Sequence, residues 1–386
     1  MKKLALILAA LMLIGSIIGC AQQTTTGGDA ATGNNQTAGG AETTGGGSEA
    51  DDSDREIVIG ISFGTLQEER WQRNLRNMEA RAEALGNTRI IAQSADGDET
   101  RQITQCENMI TQGVDVLMII PVNGFASAPI IANAHAHDVP VVAYSRMIYD
   151  CDLDVYVSFD LRHVGVLQAT FAVEQAPKGN YFLIGGAPTD TNVPLMRDGQ
   201  MSVLQPYIDR GDINIVVDQY AVGWNPQEAL IHTENGLSVW GDDVAAIITM
   251  NDATAGAAIQ ALTEHGLAGQ VVVTGLDADI SAAQRIMAGT QGMSVYRRFR
   301  VFDEMSIDLC RAVALRQDLS DFWEVEYRNN GYKDVPSIIE RGELAMFTLH
   351  RENMFEALHD GWLEFDEVFR FLPENEWPEW AKNWEQ

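Results

Sequence analysis

The sequence has 386 residues, of which 46% are hydrophobic, enough for two or three domains with sizeable cores. Its 55 acidic and 26 basic residues give a formal net charge of −29. Phosphate groups repel such a surface, so the charge argues against a nucleic-acid partner and against a peripheral helix that lies on anionic lipid.

The cysteine content argues against a disulfide scaffold. Four cysteines in a chain of this length are too few to staple the fold, and none has the spacing of a metal site. Cys106 and Cys310 fall in helical patterns and are expected to be buried as small apolar residues. Cys151 falls in a predicted loop and is expected to be a free thiol.

The N-terminus is predicted to be a targeting segment. Lys2 and Lys3 precede an apolar run over residues 4–18, which is too short to span a membrane comfortably and is typical of a signal peptide. Gly19 before Cys20 resembles a bacterial lipobox, which implies a lipoprotein signal peptide over 1–19 and lipidation of Cys20. The alternative is an ordinary signal peptide with a coincidental cysteine. Residues 20–54 are Gly- and Thr-rich and are expected to form a flexible tether, with no large apolar residue after Cys20.

From residue 56 onward, short β-branched runs alternate with helical patterns. Strands are predicted at 57–63, 89–93, 116–120, 139–143, 155–158, 181–184, 213–217, 245–249 and 271–275. Helices are predicted at 69–85, 100–112, 126–137, 163–175, 227–239 and 253–265. Continuous apolar strands indicate burial on both faces, as in a parallel sheet covered by helices. The fold class is therefore α/β, with two doubly wound parallel sheets of four to six strands, the first ending near residue 158 and the second beginning near 180.

Polar side chains recur where these strands end, which is where open α/β sheets bind ligands. They include arginines, aspartates, asparagines and a tryptophan, namely Arg70, Trp71, Arg146, Asp190, Asn192, Trp224, Asn251, Asp277 and Arg297. Planar carboxylates, amides and guanidiniums pair with adjacent sugar hydroxyls, and aromatic rings pack on the apolar faces of a sugar ring. The chain has no phosphate-binding glycine motif, so the pattern favours a sugar over a nucleotide.

Other interpretations of single residues stay open. Asp252 and Asp279 precede helices and could serve only as N-caps. Asp277 and Asp279 could also be the paired carboxylates of a glycosidase-like surface enzyme. His135 and His137 point to different sides of a helix and have no evident third ligand, so no metal site is expected.

Several segments carry a family resemblance. Residues 69–72 (ERWQ), 146–148 (RMI), 179–186 (GNYFLIGG), 251–256 (NDATAG), 277–279 (DAD) and 329–337 (NNGYKDVPS) resemble the bacterial D-xylose-binding proteins, which are type I periplasmic binding proteins. The resemblance extends from about residue 56 to 340. It implies an extracytoplasmic receptor of a sugar ABC importer that binds a monosaccharide, D-xylose first, without catalysis, cofactor or metal; the lipobox adds a lipid anchor to the membrane. Its implied partners are an ABC permease and ATPase, with a chemoreceptor as a further possibility.

The resemblance also implies a domain organisation. Two Rossmann-like lobes would be joined by three crossings, near 158–161, 292–296 and 330–336. The N-terminal lobe would comprise 55–158 and 294–330, and the C-terminal lobe 159–293 and 331–386. The same resemblance implies that the nine strand-end residues named above contact the sugar.

Two positions depart from the xylose pattern. Ser145 stands where an acidic residue is expected, and Arg297 where a lysine is expected. Arginine and lysine are not equivalent at a bidentate site, and a lost carboxylate frees volume, so another aldopyranose such as glucose is an alternative ligand. A receptor that serves only chemotaxis is a further alternative. A DNA-binding regulator of the same fold would need an N-terminal helix-turn-helix, whereas residues 1–54 predict a signal and a tether. The tryptophan-rich tail beyond residue 343 is expected to pack on the C-terminal lobe.

Overall fold

The computed structural model describes residues 55–321, 323–342 and 345–384. The predicted signal peptide, Cys20 and the tether lie outside these residues. The structure is α/β, with parallel sheets covered by helices. None of the helices in the described part combines the length and apolarity that crossing a lipid bilayer requires.

The first lobe is built on a seven-stranded sheet. Its strand order is β11-β12-β5-β4-β3-β1-β2, and only β11 is antiparallel to its neighbour. The strands are β1 (Ile57–Phe63), β2 (Thr88–Ser94), β3 (Val116–Ile120), β4 (Val141–Tyr144), β5 (Val155–Phe159), β11 (Glu326–Asn329) and β12 (Asp334–Glu340). The helices around it are α1 (Glu69–Leu85), α2 (Glu99–Thr111), α3 (Ala128–His135) and α9 (Phe299–Ala314).

The second lobe is built on a four-stranded parallel sheet of order β7-β6-β8-β9. The strands are β6 (Gly179–Gly185), β7 (Ile213–Tyr220), β8 (Ala246–Thr249) and β9 (Val272–Thr274). The helices are α4 (Leu161–Gln175), α5 (Asn192–Asp209), α6 (Pro226–Trp240), α7 (Asp252–Glu264) and α8 (Ile280–Met287).

The remaining elements form a small sheet and the C-terminal segment, residues 350–384. Strands β10 (Ser294–Arg297) and β13 (Met346–Leu349) pair antiparallel. The short helices α10 (Phe355–His359), α11 (Phe365–Val368) and α12 (Glu379–Lys382) follow. Two hydrogen bonds join this segment to the second lobe. Gln284 Nε2 of α8 donates to the Glu367 carbonyl, and Trp362 Nε1 donates to the Ala278 carbonyl at 2.9 Å. The segment therefore packs against the second lobe, while Arg73 of α1 also donates to the Trp362 carbonyl.

Burial on both faces explains the continuous apolar strands. Every side chain of β3 is buried, with Val116, Met118 and Ile120 in one core cluster and Leu117 and Ile119 in the other. Cys106 and Cys310 are buried in these cores, as expected, and Cys151 is a free thiol but is also buried.

The strand pairing differs from the expected lobe boundaries at two places. Strand β12 was expected in the second lobe, but it pairs with β5 of the first. The reason is the short connection from Asn329 to Asp334, which folds β11 and β12 into a hairpin and leaves no chain to cross between lobes. The third crossing therefore lies between β12 and β13 rather than at 330–336. Strand β10, expected in the first lobe, pairs with β13 and bridges to Leu276 beside β9 through Val295.

Candidate ligand-binding cleft

The carboxyl ends of both large sheets face one cavity between the lobes. Its volume is about 20 Å³. The first lobe contributes Glu68, Arg70 and Arg146, and the hinge strand β10 contributes Arg297. The other lining residues are Leu161, Asp190, Asn192, Met196, Trp224, Asn251, Leu276 and Asp277. Eight of the nine strand-end residues singled out in the sequence thus line this cavity, and Trp71 does not.

Arg70 and Trp71 lie in the first turn of α1, after the short loop that follows β1. The Trp71 ring is buried under Arg70, whose guanidinium carbon lies 3.9 Å from the ring centroid. Arg70 also lies 3.4 Å from the Asp277 carboxylate of the other lobe. Trp71 therefore holds Arg70 toward the cavity by a cation–π contact and is not itself part of the cavity wall.

Arg146 links the lobes. Its Nη1 donates to the Pro121 carbonyl at 3.0 Å, and its Nε lies 2.7 Å from Asp190 Oδ2 in the second lobe. The preceding Ser145 is fully buried with a φ of 67°, and its hydroxyl accepts a hydrogen bond from Arg70 Nη2 at 3.2 Å. Ser145 orients Arg70 and does not line the cavity.

Asp190, Asn192 and Trp224 form one wall of the second lobe. Asp190 Oδ1 accepts from the Asn192 backbone, and its Oδ2 accepts from Trp224 Nε1 at 3.0 Å. The indole covers Gly186, where a Cβ would lie 2.1 Å from the Trp224 ring. Trp224 therefore presents a ring to the cavity because the residue beneath it has no side chain.

Asn251, rather than Asp252, is the N-cap of α7. Its Oδ1 accepts from the Thr254 backbone at 2.9 Å, while its Nδ2 donates to Glu68 Oε2 across the cleft at 3.3 Å. Asp252 instead accepts from Gln291, from Ser294 of β10 and from the Asp279 backbone. Burial raises the pKa of Asp252 to about 7, against a lowering by Arg285. Asp279 occupies the N-cap position of α8 without capping it through its side chain.

Asp277 lies between two guanidiniums, with Arg297 Nη2 at 3.0 Å and Arg70 Nη1 at 3.4 Å from its Oδ1. Arg297 is fully buried, and its guanidinium carbon lies 4.4 Å from the Phe159 ring centroid and 4.5 Å from that of Phe299. Burial, together with the like charge of Arg70, lowers the pKa of Arg297 to about 9. Asp277 therefore holds two cations together at the bottom of the cleft.

Some buried polar atoms of these residues have no protein partner in the described part. They include Asn192 Oδ1, Arg70 Nε and Arg297 Nη1. An unpaired buried polar atom costs roughly 1–3 kcal/mol, so these atoms favour a ligand that supplies both donors and acceptors. Three guanidiniums, several carboxylates and an indole ring can together bind a small molecule with many hydroxyls.

Sequence reasoning did not single out Glu68 as a site residue. It is the N-cap residue of α1, at a helix N-terminus that favours negative charge, and it does not cap the helix through its side chain. Burial raises the pKa of Glu68, against a lowering by Arg146. The one available signal was its position directly after the loop that follows β1.

The histidines noted in the sequence lie elsewhere. His135 Nε2 is 2.7 Å from Asp154 Oδ2, at the amino ends of β4 and β5 and away from the cleft. Within the residues that the structure describes, no group of histidine, cysteine and acidic side chains could hold a metal ion.

Comparison with known proteins places the chain in a family. Residues 59–317 match the family model described as periplasmic binding protein domain. The D-xylose-binding periplasmic protein of Escherichia coli K12 is 44% identical over 287 residues, which cover 73% of this chain and 84% of that protein. The multiple sugar-binding periplasmic receptor of Rhizobium radiobacter is 31% identical and covers 79% of this chain and 90% of its own.

Solved structures agree with this placement. A solute-binding protein of Clostridium phytofermentans with bound β-D-glucose superposes with a TM-score of 0.72 at 25% identity, covering 81% of this chain and 99% of its own. One from Chloroflexus aurantiacus in complex with D-glucose gives a TM-score of 0.70 at 26% identity, covering 84% and 98%. These relatives are receptors and not enzymes, and neither is this chain an enzyme. The chain belongs to the periplasmic binding protein family and has its type I fold.

Proposed function

We propose that this protein is the extracytoplasmic receptor of a sugar ABC importer and binds one monosaccharide in the cleft. The observation that carries the proposal is the convergence of hydroxyl-pairing side chains from both lobes on one cavity. We assign the sugar contacts to the eight cavity-lining residues that the sequence indicated. Trp71 instead packs under the Arg70 guanidinium and holds it toward the cavity. The relatives named above as sugar-binding support the ligand class.

D-xylose is the first candidate ligand. The support is the 44% identity to a D-xylose-binding protein over 287 residues. Glucose is the second candidate, supported by the two glucose-bound structural relatives and by Ser145, which leaves the site one carboxylate short of the xylose pattern. Glucose differs from xylose by a hydroxymethyl group, so the size of the cavity when it is occupied decides between them.

Binding is proposed to proceed by hinge closure. Without sugar the two lobes would separate, and a pyranose that touches both would favour the closed arrangement in proportion to its differential affinity for it. A dissociation constant near 1 μM corresponds to about −8 kcal/mol, which a few charge-assisted hydrogen bonds and one ring contact can supply. The closed receptor would then deliver the sugar to a permease driven by an ATPase.

A panel of pentoses and hexoses tests the ligand. A sugar that binds only the folded protein raises its melting temperature, so D-xylose should give the largest thermal shift and D-glucose the next. Calorimetric titration then gives the affinity, and Arg146→Ala and Asp277→Ala should each weaken it at least tenfold because their buried partners lose a charged neighbour. No shift with any sugar would overturn the proposed function.

Delivery to a permease separates a transporter from a receptor used only in chemotaxis. Cells that lack the protein should lose high-affinity uptake of the sugar and regain it with the wild-type gene. Normal uptake combined with a lost chemotactic response would favour the sensor.

We also propose that Cys20 carries a lipid anchor. Several acyl chains on one cysteine would hold the protein at a membrane, since each buried methylene contributes about 0.8 kcal/mol. Cys20→Ser should move the protein from the membrane fraction to the soluble extracytoplasmic fraction. Unchanged membrane retention would contradict the anchor.

A further inference from the structure

Glu68 is the sole carboxylate that the first lobe contributes to the described cavity wall. The other lining residues of that lobe, Arg70 and Arg146, only donate hydrogen bonds. The acidic and amide side chains Asp190, Asn192, Asn251 and Asp277 all belong to the second lobe. A small polyol gripped from both sides therefore has a single side-chain acceptor on the first-lobe side.

The Glu68 carboxylate has acceptor capacity to spare. Its Oε1 accepts from Trp71 Nε1 at 3.3 Å, and its Oε2 accepts from Asn251 Nδ2 at 3.3 Å. A carboxylate offers about four lone-pair sites, so each oxygen can take another hydrogen bond. The two existing bonds are long and fix the group in the cavity without saturating it.

Glu68 also differs in charge pairing from the other carboxylates of the cavity. Asp190 is 2.7 Å from Arg146, and Asp277 lies between Arg297 and Arg70. In the described part of the chain Glu68 forms no ion pair within 4 Å and contacts Trp71 and Asn251 instead. Ser145 is turned to Arg70 and offers the cavity no acceptor.

We propose that Glu68 is a specificity-determining residue that accepts a hydrogen bond from one sugar hydroxyl and is the side-chain acceptor that the first lobe supplies to the sugar. This inference rests on the proposed sugar-binding function. The inference concerns which sugar hydroxyl forms a hydrogen bond with Glu68. One acceptor at a fixed position selects the sugars that have a hydroxyl within its reach.

A cycle that combines protein variants with deoxy sugars tests the contact. The ligands are the best sugar of the panel and its deoxy analogues, each lacking one hydroxyl, titrated calorimetrically into wild type and Glu68→Leu. In wild type, removal of the hydroxyl that donates to Glu68 should weaken sugar binding at least tenfold. In Glu68→Leu the parent sugar should bind at least tenfold more weakly, and the same deoxy analogue should bind within threefold of the parent.

Two further variants complete the design. Gln67→Leu changes the exposed neighbour on the same loop and should keep every wild-type deoxy penalty. Glu68→Gln keeps one neutral acceptor, so removal of the same hydroxyl should weaken binding by an amount between those of wild type and Glu68→Leu. This variant keeps the contact testable if Glu68→Leu folds poorly.

The outcomes separate this inference from the proposed function. Identical deoxy penalties in wild type and both Glu68 variants would overturn the role of Glu68 while leaving the sugar receptor intact. Loss of the penalty in Gln67→Leu as well would also overturn it, because the effect would then belong to the loop. A wild-type protein that binds no sugar would instead overturn the function on which the inference rests.

Discussion

Trp224 reaches the cleft because Gly186 beneath it has no side chain. A Cβ at position 186 would lie 2.1–2.4 Å from three ring atoms of Trp224, while the backbone of Gly186 needs no positive φ. Gly186→Ala should therefore push the indole out of place and weaken sugar binding at least tenfold, with an unfolding temperature within a few degrees of wild type. Calorimetric titration and thermal melting measure the two effects, and wild-type affinity in this variant would show that the ring is not a contact surface.

Backbone strain also concentrates at the cleft. Of the eight described non-glycine residues with positive φ, four lie at or beside the cavity, namely Ser145, Trp224, Asp277 and Ala278. Such conformations cost of order 1–3 kcal/mol each and persist where the surroundings fix them. Here they aim Trp224 and Asp277 at the cavity and turn the Ser145 hydroxyl toward Arg70. The strain marks a pre-organised site.

At the scale of elements, Asp303 joins α9 to α1. It accepts hydrogen bonds from the side-chain amides of Asn74 and Asn77 on α1 and from the Tyr144 hydroxyl at 2.6 Å. Asp303 is fully buried, and burial raises its pKa to about 7 although these hydrogen bonds lower it. The helix pair therefore contains a carboxyl that is costly to ionise.

This carboxyl predicts a pH dependence of stability. Between about pH 4 and pH 7 folded Asp303 keeps a proton that the unfolded chain has released, so its contribution to stability is lost as the pH rises through this window. One such proton makes the free energy of unfolding fall by up to about 1.4 kcal/mol for each pH unit of increase. Denaturant unfolding of sugar-free protein measures this free energy across the range. In Asp303→Asn its decrease with pH should be smaller than in wild type by up to that amount. Equal slopes in variant and wild type would contradict the assignment.

The elements that could be predicted from the sequence are those with an unambiguous pattern. The predicted bounds of α1 match the observed Glu69–Leu85, because its apolar positions repeat every three to four residues and Gly86 ends it in the left-handed conformation. The pairing of β12 could not be predicted, because a strand's own residues do not reveal which sheet it joins. In the site, the pattern identified eight of the lining residues, whereas Glu68 carries no signal beyond that of an acidic residue at the start of a helix.

At the scale of the whole molecule, the rim of the cleft adds contacts between the lobes. Thr191 Oγ1 donates to the Met147 carbonyl at 3.2 Å, and the Gly124 backbone donates to the Thr189 carbonyl at 3.4 Å. These bonds join loops of different lobes, so in the proposed hinge mechanism they form only when the lobes meet. They would stabilise the closed receptor without touching the sugar.

Thr191→Val tests this role, because valine keeps the shape of threonine and removes the hydroxyl donor. A net hydrogen bond contributes about 0.5–1.5 kcal/mol, so sugar affinity should fall about two- to tenfold. The loss should appear in a faster dissociation rate with little change in the association rate, since the bond forms after the sugar has entered. Stopped-flow binding measures both rates, with Thr104→Val, at an exposed position of α2, as a control that loses only a bond within its helix. A change confined to the association rate would show that the hydrogen bonds at the rim form before the sugar binds. That result would contradict lobe closure as the step that retains the sugar.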